Sequence, residues 1–228
     1  MGSEREEGFK KRKGQRKAKK QDNEKLAPYR YLIVCEGEKT EPNYFEGIRN
    51  KINAKYAARI RVEGKVELQI EGTGRNTNDL VNYVARLVNK TPMFYEHIWV
   101  IFDKDDFTDD QFNSAIEQAE SKGYKVGWSN EAIELWFLLH FEYLNTGIGR
   151  EKYCEKLSQY FKEYNISNGK YKKNMEDIFD ILEKHGSMGQ AINGSTKLLK
   201  EYEDSSSPAK MKPATTVFKL VEELKEYF

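Results

Sequence analysis

Between residues 29 and 143 short apolar runs take turns with longer stretches whose apolar side chains recur at helical spacing, and this alternation restricts the chain to few folds. Tyr31-Leu-Ile-Val-Cys35 is a continuous apolar run of strand length. Thr40 is placed to cap the helix that follows, with Pro42 in its first turn and Phe45, Ile48, Ile52 and Tyr56 along one face. Val66, Leu68 and Ile70 alternate with polar residues as in a second strand. The loop 72–78 precedes a helix marked by Leu80, Val84, Leu87 and Val88. His97-Ile-Trp-Val-Ile-Phe102 predicts a third strand, ending abruptly in Asp103-Lys-Asp-Asp106. A polar helix to about Gly123 carries Phe112, Ile116 and Ala119, and Tyr124-Lys-Val-Gly-Trp128 predicts a fourth strand. Ser129 or Asn130 then stands where it could cap an apolar helix running from Glu131 to about Tyr143. Strands separated by helices imply an α/β fold, a mainly parallel central sheet with helices on both faces.

Beyond Asn145 no strand is expected. Segments near 150–164, 173–185, 189–203 and 214–228 have helical patterns, divided at Asn168-Gly169, Gly186 and Ser205-Ser-Ser-Pro208. The predicted organisation is a disordered basic arm over 1–27, an α/β core over 28–145 and a helical extension over 146–228 packed on that core. A net charge of +1 conceals the arm's character, because residues 1–25 carry ten Lys and Arg against five Asp and Glu. Lys10, Lys11, Arg12 and Lys13 are the densest part of it and could reach for the phosphates of nucleic acid, or simply keep the chain solvated. Only two cysteines occur, Cys35 and Cys154, without a CxxC pair, so neither a disulfide framework nor a zinc ribbon is expected. No apolar stretch is long enough to span a membrane and the N-terminus is basic, so a cytoplasmic protein is expected.

The acids follow the strands. In an open α/β sheet ligands bind where loops leave the carboxyl ends of the strands. Glu36 lies just past the first strand, and Asp103 and Asp105 just past the third. If those strands are neighbours, three carboxylates share one crevice, where like charges raise each other's energy unless a cation joins them. A hard divalent cation, Mg²⁺ or Mn²⁺, suits oxygen ligands and phosphodiester chemistry. Asp109 and Asp110 read instead as first-turn acids of a helix, and Asp106 fits either role. Glu134 sits among apolar neighbours and needs a partner, either a metal or a Lys or Arg. Lys39 and Lys104 flank the acids and could meet a scissile phosphate, and Arg75 is a further phosphate contact or an ordinary turn residue. His140 reads as a hydrogen-bonded core histidine. His97 and His185 lack ligand-spaced companions, so zinc is not expected.

Leu32-Ile-Val-Cys-Glu36-Gly-Glu-Lys-Thr-Glu41 and the later Asp103-Lys-Asp105 resemble a Toprim motif pair. Cys35-Glu-Gly-Glu-Lys-Thr-Glu-Pro-Asn-Tyr-Phe45, Phe102-Asp-Lys-Asp-Asp-Phe107, Ser129-Asn-Glu-Ala-Ile-Glu-Leu-Trp-Phe-Leu-Leu-His-Phe141 and Pro213-Ala-Thr-Thr-Val-Phe-Lys-Leu-Val221 together resemble RloB-like proteins. The resemblance implies a Toprim, Rossmann-like core and a Mg²⁺-dependent nuclease of prokaryotic anti-phage, abortive-infection or restriction loci, related to overcoming-lysogenization-defect nucleases. It implies an ABC- or AAA-type ATPase partner. It makes Glu36 a general base or metal ligand, Asp103 and Asp105 metal ligands, and Glu41 a ligand for a second metal. Glu131 departs from the family pattern, which has Pro there.

Three functions compete. The first is a metal-dependent endonuclease on DNA or RNA, with tRNA among the candidate substrates. The second is an inactive Toprim scaffold that binds nucleic acid or the ATPase. The third is a haloacid-dehalogenase-like phosphatase, disfavoured because no later strand carries the acids it needs and Glu36 would be left over. The sequence contains no P-loop, and it leaves homo-oligomer formation open.

Overall fold

The two residue periods predicted from the sequence give a five-stranded sheet sandwiched between helices. The computed structural model describes residues 29–57, 66–105, 107–204 and 207–228. The arm with Lys10, Lys11, Arg12 and Lys13, and also Asp106, lie outside the described residues. In chain order the elements are β1 (Tyr29–Cys35), α1 (Thr40–Ala57), β2 (Val66–Gly72), α2 (Thr77–Lys90), β3 (His97–Asp103), α3 (Asp109–Ser121), β4 (Lys125–Asn130), α4 (Glu134–Leu138), α5 (Arg150–Glu163), α6 (Ile178–His185), α7 (Met188–Lys200), β5 (Ala214–Thr215) and α8 (Val217–Lys225).

The strand order is β2-β1-β3-β4-β5. The first four strands are parallel, with Tyr31 opposite His97 and Cys35 opposite Ile101 across the β1–β3 pair. Side chains alternate across the sheet. Tyr31, Ile33 and Cys35 of β1 join one hydrophobic cluster with Trp99 and Ile101 of β3. Leu32 and Val34 join the other with Val100 and Phe102. Both faces are therefore apolar, which is why these strands read as continuous apolar runs. The first face packs against Tyr44, Phe45, Ile48 and Ile52 of α1 and against the C-terminal helices through Phe161, Phe179 and Val221. The second packs against Leu80, Val81 and Val84 of α2 and Phe112, Ile116 and Ala119 of α3. Burying one such large side chain stabilises the fold by about 1.5–3 kcal/mol, so both helical layers are firmly held.

Four local expectations need correction. Thr40 does not cap α1; it is the first helical residue, and its hydroxyl donates to the Lys173 carbonyl at 2.6 Å. Ser129 and Asn130 belong to β4, and the apolar helix shrinks to Glu134–Leu138. The reason lies in backbone pairing: the Ile133 N–H donates to the Asp103 carboxylate at 3.1 Å rather than to a helix cap. The Asn130 amide meanwhile donates to the Ala209 carbonyl at 2.8 Å. The C-terminal half also contributes a strand after all. Ala214 and Thr215 pair antiparallel with Asn130 and Ser129, and the Thr216 N–H donates to the Trp128 carbonyl at 2.8 Å. Finally, the helix expected over 173–185 is confined to α6, because residues 173–175 are drawn onto α1 by Thr40 and by Asn43, whose amide donates to the Met175 carbonyl at 3.2 Å. Among the described residues, no helix is long and apolar enough to cross a membrane.

Candidate active site

The site begins where β1 and β3 end side by side. The β1–β3 ladder runs one step beyond Cys35, since the Glu36 N–H donates to the Ile101 carbonyl at 2.9 Å. Glu36 and Asp103 are thus held at neighbouring strand ends, and the Asp103 N–H donates to Glu36 Oε2 at 3.3 Å. The next residues are anchored to β4 and its exit: Lys104 N–H donates to the Ser129 carbonyl at 2.9 Å and Asp105 N–H to the Glu131 carbonyl at 3.1 Å. Asp105 takes a left-handed φ of 36°, which an aspartate tolerates better than most residues. The adjacency required of the two strands is met.

A cavity of about 410 Å³ opens at these ends. Of the residues singled out in the sequence, Glu36, Lys39, Glu41, Arg75, Asp103, Asp105 and Glu134 all line it. Glu41 arrives from the first turn of α1 and Glu134 from the first turn of α4. Lys104 does not line the cavity. Its ammonium turns to the start of α3, 3.1 Å from Asp109 Oδ1 and 3.3 Å from the Phe107 carbonyl. Asp109 and Asp110 occupy the first turn of α3 behind a Thr108–Gln111 capping box, as expected of helix-start acids. Arg75 lies over the Tyr83 ring, 4.6 Å from its centroid, at the rim.

Arg150 and Lys173 are not among the residues singled out in the sequence. Arg150, the first residue of α5, reaches in among the acids. It forms an ion pair with Asp105, a second with Asp103 Oδ2 at 3.1 Å and a longer one with Glu134 Oε2 at 3.9 Å. The Tyr171 hydroxyl donates to Glu134 Oε1 at 3.2 Å. Glu134 therefore has a cationic and a hydrogen-bonding partner. One sequence signal did exist: a cation at the first position of a helix opposes the helix dipole, so Arg150 needs a reason outside its own helix.

Charge balance in the cleft is unequal. Burial pushes the Asp103 carboxyl well above the usual range, and Glu41 raises it further, against the pull of Arg150. Burial likewise raises Glu41, opposed by a backbone hydrogen bond and reinforced by Glu134. Burial alone would weaken the Arg150 guanidinium's hold on its proton, but Asp103, Glu134 and Asp105 more than offset this. The two partners of the Asp103–Arg150 pair thus shift in the same direction. Desolvation and neighbouring acids outweigh one cation, leaving the acids under-compensated. Among the described residues, no group of three or more His, Cys, Asp or Glu side chains is arranged to hold a metal ion. The expected trio is brought to one cavity, but with a guanidinium between two of its members.

The histidines behave as expected of core or surface residues. His140 is buried with Nδ1 2.9 Å from the Trp136 carbonyl, and His97 stacks on Tyr31. Tyr153 and Tyr171 are buried, Tyr160 stacks on Phe141, and Tyr164 is exposed.

A family model described as RloB-like protein matches residues 31–224. Comparisons with curated proteins and with solved structures returned no match.

Proposed function

The chain belongs to the RloB-like family, and from that premise we propose that it is a divalent-metal-dependent nuclease acting on DNA or RNA. The observation that carries this reading is the pairing of Glu36 with Asp103 at adjacent strand ends inside one acidic cleft. The donors fit Mg²⁺ or Mn²⁺ in kind, being all carboxylate oxygens without histidine or thiolate. The under-compensated charge of Asp103 and Glu41 also fits a cation of higher charge than a guanidinium.

Glu36, Asp103 and Asp105 would hold the metal, with Glu41 and Glu134 of the same cleft available for a second ion. Bound metal would supply Lewis-acid stabilisation of the phosphoryl oxygens and of the leaving oxygen. Glu36, oriented by the Asp103 N–H, accepts the proton of the attacking water. Lys39, Arg75 and Lys173, all exposed residues lining the cleft, bind the phosphate backbone and set its register. The basic arm adds sequence-independent attraction. An ABC- or AAA-type ATPase in the cytoplasm is the proposed partner, since this sequence contains no P-loop of its own.

A second reading, an inactive scaffold for nucleic acid or the ATPase, is favoured by one observation: Arg150 already neutralises part of the acid cluster. Incubating the purified protein with labelled DNA and RNA, with and without the ATPase, separates the two. The nuclease reading expects cleavage that needs Mg²⁺ or Mn²⁺ and is lost in Glu36→Ala and Asp103→Ala. Cleavage unaffected by both substitutions, or metal-loaded protein that binds but never cuts with its partner present, would refute it.

A further inference from the structure

Arg150 holds a position between two hollows. Its guanidinium bridges Asp103 and Asp105 in the acidic cleft, yet its Nε is buried without a hydrogen-bond partner, since the nearest carboxylate oxygen, on Glu134, is 3.9 Å away. A guanidinium offers five N–H donors in a planar fork, so this one is incompletely satisfied where it lies. The side chain is a quarter exposed, and Arg150 also lines a second, open hollow of about 840 Å³ together with Lys170, Tyr171 and Lys173. Lys173 lines both hollows too. The guanidinium therefore has a place to go that does not require the fold to open.

We propose that Arg150 is an exchangeable counter-cation of this cleft: it ties Asp103 to Asp105 in the metal-free protein and yields both carboxylates when a divalent cation binds. This rests on the metal-dependent reading above and extends it to the metal-free state. A buried acid cluster without any cation is strongly destabilised. An internal guanidinium keeps the cleft folded until metal arrives. It also imposes a cost on metal binding, because its ion pairs must break first. Once released, Arg150 stands beside Lys173 at the boundary of the open hollow, placed to receive a phosphate oxygen with the bidentate geometry that lysine lacks.

The test compares wild type, Arg150→Met and Arg150→Lys in calorimetric titrations with Mg²⁺ alone, beside thermal melts in chelator and in Mg²⁺. Arg150→Met keeps an unbranched apolar stem and removes the charged guanidinium, so it should bind Mg²⁺ about tenfold more tightly than wild type. Its melting temperature should fall in chelator and recover in Mg²⁺. Arg150→Lys, a point charge without the fork, should lie between the two, and keeps the test decisive if Arg150→Met folds only with metal. In wild type the Nε–H resonance of Arg150, assigned by its loss in Arg150→Lys, should shift on addition of Mg²⁺. Equal or weaker Mg²⁺ affinity in both variants, or an unmoved resonance at saturating Mg²⁺, overturns the exchange and leaves the metal site standing. If no form of the protein binds Mg²⁺ or Mn²⁺, the exchange and the metal-dependent reading fall together.

Discussion

At position 37 the space that a side chain would take is filled by the Glu41 carboxylate. A Cβ there would lie 2.1 Å from Glu41 Oε2, so any side chain at 37 must displace the end of the Glu41 side chain, a constraint set by the next helix and not by the local backbone angles. Gly37→Ala should therefore destabilise the protein by about 1–3 kcal/mol in urea denaturation. Combining it with Glu41→Ala should remove most of that penalty, whereas Glu41→Gln, equal in volume, should not. Equal penalties in all three backgrounds would show that the clash is not with this carboxylate. His140 gives a second residue-scale test. Burial pushes its pKa down to about 4, below the ordinary 6.5, despite carbonyls that favour the protonated ring. Above pH 6.5 folded and unfolded forms are both neutral. As pH falls from about 6.5 to about 4 the unfolded chain gains a proton that the folded chain refuses, so this group loses the fold roughly 3 kcal/mol across that window. The raised carboxyls of Asp103 and Glu41 act with opposite sign, gaining stability as pH falls through their folded values. The difference between wild type and His140→Phe isolates the histidine and should show its slope only in that window.

Elements differ in how far a sequence can announce them. β1 and β3 were legible because a strand buried on both faces must be apolar at nearly every position. α3 was legible at its start from Asp109 and Asp110 and at its finish near Gly123, and the structure adds a Thr108–Gln111 capping box at its first turn. Removing that cap in Thr108→Ala should cost about 1 kcal/mol by chemical denaturation while leaving metal affinity unchanged. A loss of metal binding would mean that the α3 cap also holds the Asp103–Phe107 loop in place. α4 has no legible boundary in the sequence because residues 132–140 are buried on every side, so periodicity cannot mark a helix start there. Its beginning is decided by the Asp103 carboxylate taking the Ile133 N–H, a tertiary contact. β5 is two residues long and exists only by pairing with β4, so nothing local identifies it.

For the whole molecule, the relevant fact is which distant segments meet. The cleft acids at 36, 103, 105 and 134 could be gathered from strand ends and one anomalous buried glutamate, and Glu41 from the family resemblance. Arg150, Tyr171 and Lys173 could not, because nothing in the local pattern of residues 146–228 ties them to the strand ends over which the fold turns them. The charge asymmetry makes a further prediction at this scale. Removing residues 1–27 should weaken nucleic-acid binding and flatten the dependence of log affinity on log salt, as measured by anisotropy. An unchanged slope would exclude the arm from the interface. The central claim, that the Glu36–Asp103 cleft holds a divalent metal, is tested most directly by anomalous diffraction from crystals grown with Mn²⁺. The account predicts an anomalous peak between Glu36 and Asp103 in wild type, absent in Asp103→Ala. A well-ordered cleft without such a peak, or Mn²⁺ bound only at other carboxylates, would contradict it.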